Sequence, residues 1–94
     1  MRVFFVKSFS TSGHAYSIPP YCATGAEAPY VNHAVLRNSA FTDTLAHEFG
    51  HILLNSGNHT GIVNPADNRN LMFAPGRTAS DLDATQCATI YANA

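Results

Sequence analysis

The chain has 94 residues, with five Lys and Arg against six Asp and Glu and a formal net charge of -1. That length holds one small domain at most, residues 1–94, with a core thin enough that a covalent staple or a bound metal would matter to its stability. Near-neutrality without a basic run excludes a surface that tracks phosphates, and so argues against a nucleic-acid partner; the apolar runs, such as "VFFV" near the start, are too short to span a membrane.

In chain order, "RVFFVKSF", Arg2 to Phe9, is rich in β-branched and aromatic residues and stops at the Ser10–Gly13 cluster, which predicts a strand followed by a loop. From Ser17 to Pro29, paired prolines, Gly25 and a third proline predict irregular chain. "VNHAVLR", Val31 to Arg37, alternates in the manner of a second strand. Thr42 or Ser39 can then cap a helix whose Leu45, Phe49, Ile52 and Leu53 form an apolar stripe, and which ends near Asn55 to Gly57, where glycine suits the left-handed residue past a helix. A last helix is signalled by "SDLD", with Ser80 and Asp83 as a capping box and Leu82, Cys87, Ile90 and Tyr91 on one side. Two strands and two helices are the expected elements.

The chemistry concentrates in "AHEFGHILLNSGNHTG", Ala46 to Gly61. His47 and His51 are one helical turn apart, about 40° around the axis and about 6 Å along it, so both can grip one ion from one face, with Glu48 beside them. Catalytic zinc commonly takes three protein ligands and leaves a fourth position open, so two imidazoles are one short. On a continuous helix His59 would lie about 12 Å beyond His51, far outside a zinc–nitrogen bond of about 2.1 Å. The chain must therefore turn back, and Asn55, Ser56, Gly57 and Asn58 are residue types that permit it.

The HExxH run with a later histidine resembles the metzincin clan of zinc endopeptidases, and "NRNLMFAP", Asn68 to Pro75, is similar to the segment that holds a methionine in a tight turn beneath the metal in that clan. The similarity covers roughly Ala34 to Ile90. It implies His47, His51 and His59 as zinc ligands, Glu48 as general base, and Met72 as the floor of the site. The implied fold is α+β and zincin-like: a short mixed sheet packed on an active-site helix, a C-terminal helix below, and the N-terminal part shortened. The implied activity is peptide-bond hydrolysis on peptide or protein substrates, with "NHAVLR" as the edge along which an extended substrate would pair. In that clan the glycine and the third histidine come sooner after the second than Gly57 and His59 do here, and Ala74 stands where some members have a tyrosine, so no tyrosine role transfers.

Plainer readings stand beside these. The two helical histidines could lie on an ordinary exposed face; His59 could be a solvated loop residue, with Asp67, Asp81 or Asp83 as an oxygen ligand in its place; Met72 could simply fill the core. His14 and His33 read as surface or strand residues. Cys22 and Cys87 admit a disulfide, two free thiols, or Cys22 as a latency ligand, and the disulfide leads for a small exported domain. Export is favoured over a cytosolic location by the charged fraction of 12% and the many Ala, Ser, Thr and Asn residues, although no basic segment followed by an apolar core reads as a signal peptide. A zinc-stabilised binding or effector module without turnover is the alternative to an enzyme.

Overall fold

The computed structural model describes residues 1–10, 15–22, 24–40, 43–59, 69–73 and 81–94. Most of the predicted Ser10–Gly13 loop, His14, Thr42, Asp67, Ala74 and Ser80 lie outside the described residues. Three strands form one sheet: β1 (Arg2–Val6), β2 (Ala15–Ile18) and β3 (His33–Arg37), in the order β1-β3-β2. β1 runs parallel to β3 and β2 antiparallel to it, so the sheet is mixed. Two helices complete the described elements, α1 (Thr44–Leu54) and α2 (Ala84–Asn93). The class is α+β.

Register decides which side chains meet the helix. Val3 and Ser17 flank Ala34, and Ala15 flanks Leu36, so these residues share one face of the sheet. Ala34 and Leu36 are buried there with Ile52 of α1, and Val3, Ala15, Leu45 and Phe49 pack around them. Leu45, Phe49 and Ile52 of the predicted apolar stripe meet the sheet, with α1 crossing β2 and β3 and α2 lying against α1. The opposite face carries Phe4 and Tyr16, each about half exposed, with Phe4 stacked on His33 at 5.6 Å between ring centroids.

Several expected boundaries are corrected. The first strand ends at Val6 rather than Phe9, and the start of the segment expected to be irregular, Ser17 and Ile18, instead completes β2, which is stopped by Pro19. Beyond it the chain makes two 3₁₀ turns, Pro20–Cys22 and Gly25–Tyr30. β3 starts at His33, because Val31 and Asn32 form a turn with Asn32 at φ 64°. β3 is also the central strand, paired on both sides, so it cannot be the edge that receives a substrate; among the described residues β1 and β2 are the edges.

α1 begins at Thr44 with Asp43 in the N-cap position, where its side chain makes no capping hydrogen bond, and Ser39 lies upstream in an exposed turn. The helix ends in a Schellman motif: Ser56 N–H donates to the His51 carbonyl at 3.0 Å and Asn55 N–H to that of Ile52 at 3.1 Å. Asn55, at φ 51°, is the left-handed residue in place of Gly57. α2 is capped by Asp83 with Gln86, whose backbone and side chains bond reciprocally, so Asp83 opens the capping box that was expected to close on it. Leu82 and Ile90 are half-buried, but Cys87 and Tyr91 of the expected apolar side are exposed.

The expected Cys22–Cys87 disulfide is absent, and both thiols are free. Cys87 projects from the solvent side of α2, while Cys22 is half-buried in a 3₁₀ turn tied down by Cys22 N–H to the Pro19 carbonyl at 2.9 Å and Thr24 N–H to the Cys22 carbonyl at 2.7 Å.

Candidate metal centre

The turn of helix between His47 and His51 sets their rings edge to face, 4.7 Å between centroids, with the two Nε2 atoms 3.1 Å apart. The chain then reverses through Asn55. Its side chain holds the reversal from outside, Oδ1 accepting Tyr21 N–H at 2.6 Å, and Ser56 Oγ accepts Asn58 N–H at 3.1 Å. This return brings His59 Nε2 to 3.1 Å from His47 Nε2, and the three histidines offer ligand atoms that all lie within 4.8 Å of one another. Together they can hold a metal ion.

The outer ring nitrogens show why these Nε2 atoms suit a cation. His51 Nδ1 lies 2.8 Å from the Ser56 carbonyl, and His47 Nδ1 lies 2.6 Å from that of Leu71. A carbonyl only accepts, so both Nδ1 atoms carry the proton, and in a neutral ring Nε2 is then a bare lone pair. Two lone pairs facing each other at 3.1 Å repel unless a cation or a proton lies between them. A tetrahedral ion with bonds of about 2.1 Å spaces its nitrogen ligands by roughly 3.4 Å, close to what these rings adopt. Three imidazoles are also a donor set that zinc favours, and carbonyls fixing the far nitrogens are the usual support for such ligands.

Burial tunes the same groups. It pushes the His51 imidazole below its ordinary value, opposed by the Ser56 hydrogen bond and reinforced by His47. It likewise pushes His59 down, reinforced by His51 and His47 and opposed by Glu48. Both shifts favour the neutral ring, which is the form of imidazole that ligates a metal. Glu48, 7% exposed, has its carboxyl pushed above the usual carboxylate range by burial, while the Ser17 hydroxyl, His47 and His59 pull it back.

Met72 is 1% exposed and lies under α1 at Gly50, where an added methyl group would run into its sulfur. The Met72 turn is narrow: Phe73 N–H donates to the Asn70 carbonyl at 2.9 Å, and Met72 N–H to Asn70 Oδ1 at 2.9 Å. Leu71, between them, presents the carbonyl that meets His47.

The other sequence candidates go elsewhere. His33 is on β3, with Nδ1 3.0 Å from the Val31 carbonyl. Asp81 pairs with Arg69 at 3.2 Å in an exposed ion pair, Asp83 caps α2, and Cys22 is not in the histidine cluster. Sequence reasoning named Asn55 among the residues that turn the chain back but overlooked Ser17, Gly50, Asn70 and Gln86. Two of them left a signal: a glycine inside a helix, and the Asp83-to-Gln86 spacing of a capping box. Comparison with family models, with curated proteins and with solved structures returns no match.

Proposed function

We propose that this chain is a zinc-dependent endopeptidase of the metzincin type, with a zincin-like fold. The observation that carries the reading is the convergence of three imidazole nitrogens beside a buried carboxylate that follows the first of them by one residue. His47, His51 and His59 would hold the ion through Nε2, with Met72 as the floor beneath. A zinc ion held there would supply Lewis-acid polarisation of the scissile carbonyl and lower the pKa of a water toward neutrality. Glu48 would take the proton of the attacking water as the water oxygen adds to the carbonyl carbon. As the carbon–nitrogen bond breaks, Glu48 returns the proton to the leaving amine.

Ser17, whose hydroxyl pulls the Glu48 carboxyl back toward its ordinary value, belongs to β2, an edge strand that packs against α1. An extended peptide pairing along β2 would therefore pass Glu48 and the three histidines, which transfers to β2 the substrate role expected of β3. Peptides or unfolded proteins are the substrate class, and export from the cell suits the composition.

The test is cleavage of an unfolded protein by zinc-loaded wild type and Glu48→Gln, with zinc quantified in both. Loss of the general base should lower the rate by about 10² to 10⁴ while zinc content stays near wild type. Equal cleavage by the variant rejects the assignment of Glu48. A fully loaded wild type that cleaves nothing across a broad peptide library leaves the zinc-stabilised binding module as the better reading.

A further inference from the structure

The Leu71 carbonyl that orients His47 does not belong to a helix or strand, so something else must hold it still. Its residue is gripped on one side, where Leu71 N–H donates to the Asp81 carbonyl at 2.6 Å. On the other side the grip is Asn70, whose amide stands against the amide of Gln86 on α2: Asn70 Nδ2 donates to Gln86 Oε1 at 2.6 Å, and Gln86 Nε2 donates back to Asn70 Oδ1 at 3.1 Å. Neither amide is free to rotate. Asn70 Oδ1 also accepts Met72 N–H at 2.9 Å, and Gln86 Oε1 also accepts Asp83 N–H at 2.9 Å. Gln86 N–H in turn donates to Asp83 Oδ1 at 2.8 Å. One glutamine thus closes the helix cap and locks the turn.

We propose that Asn70 and Gln86 are positioning residues for the metal ligand His47, so that the first turn of α2 and the metal site are coupled through a chain running Asp83, Gln86, Asn70, Leu71, His47. The proposal rests on the metal reading above. Carbonyls that fix a ligating histidine set its tautomer and ring angle, and disturbing them typically costs 10- to 100-fold in affinity. The amide pair acts one step further out and belongs at the lower end of that range. Coupling is reciprocal, so a bound ion also tightens the α2 cap.

Gln86→Glu isolates the amide pair. Glutamate at this position still accepts Asp83 N–H and closes a capping box, so the helix is kept. It places an oxygen against Asn70 Oδ1 where a donor stood, which breaks the return bond of the pair. Cobalt(II) alone is the probe, because its visible spectrum reports ligand geometry without any substrate. The expected result is cobalt affinity about tenfold below wild type with an altered spectrum. A control, Ile90→Ala, removes a half-buried side chain of α2 away from the turn and should lower stability while leaving affinity and spectrum as in wild type. Hydrogen exchange gives a second readout: cobalt should slow exchange of the Gln86 and Cys87 amides in wild type and less so in Gln86→Glu. A variant with wild-type affinity and spectrum overturns the proposal alone, as does an Ile90→Ala that loses affinity equally. A wild type that takes up no cobalt or zinc overturns the metal reading with it.

Discussion

A glycine inside a helix costs about 1 kcal/mol relative to alanine, so Gly50 needs a compensating contact, and the Met72 sulfur lying where its Cβ would be supplies one. Gly50→Ala should therefore destabilise: the helix gains that increment, but overpacking costs about 1 to 3 kcal/mol and tilts the ligands on either side. Urea denaturation checks it, and Met72→Ala should cost less in the Gly50→Ala background than alone, because the two residues share one space. A more stable Gly50→Ala would mean that Met72 moves aside freely. The histidines predict a pH effect. With folded values pushed down for His51 and His59, the unfolded chain binds more protons than the folded one as pH falls through the unfolded imidazole value of about 6.5. Metal-free protein should lose stability in that direction. Glu48 has the opposite sign, since a raised folded carboxyl favours the folded state at low pH, so the histidine effect is read most cleanly in Glu48→Gln. Metal-free Glu48→Gln that is equally stable at pH 5.5 and 7.5 would contradict the burial of these rings.

At the scale of elements, the helix end shows how backbone and side chain share a task. Asn55 takes the left-handed conformation and also accepts Tyr21 N–H. Asn55→Gly should keep the backbone and lose only the side-chain bond, whereas Asn55→Ala should lose both and pay about 1 kcal/mol more for the left-handed residue. Thermal melts and zinc titration of the two variants separate these contributions; equal loss in both would place the effect wholly in the Tyr21 bond. The free thiols give a second test: Cys87 should label readily in the folded protein, and reductant should leave the melting temperature unchanged. What could be read from the sequence divides along the same line. α1, its apolar stripe and the grouping of His47 with His51 were legible because helical period and residue chemistry are local properties. β2 was not, since Ala15–Ile18 is only four residues long and runs into Pro19 and Pro20. The central place of β3 was not, because pairing is a relation between distant segments. The supports of the site were least legible of all: Ser56 and Leu71 act through carbonyls, which every residue has.

For the whole molecule, the core is too small to dominate. Among the described residues the buried apolar side chains are Pro19, Ala34, Leu36, Ile52 and Met72, α2 buries none, and two of the buried positions, Glu48 and His51, are polar. A domain this size buries a modest share of its surface, so contacts of another kind must carry weight. The histidine cluster and its hydrogen-bonded supports join the parts that the core does not: α1 through His47 and His51, the return loop through His59, the Met72 turn through Leu71, and α2 through Gln86. The unfolded chain has no such geometry, so binding free energy is added to folding free energy. At free zinc 100 times its dissociation constant that addition is about 2.7 kcal/mol. For a domain of this length each kcal/mol shifts the melting temperature by about 4 to 8 °C, which predicts a rise of roughly 10 to 20 °C. The measurement is a melt with zinc and with a chelator, for wild type, His59→Ala and His33→Ala. His33 sits on the sheet away from the cluster, so its variant should keep the full zinc-dependent rise while His59→Ala loses most of it. A rise that survives His59→Ala would remove His59 from the ligand set, and no rise in wild type would mean that the three histidines meet without a metal to hold.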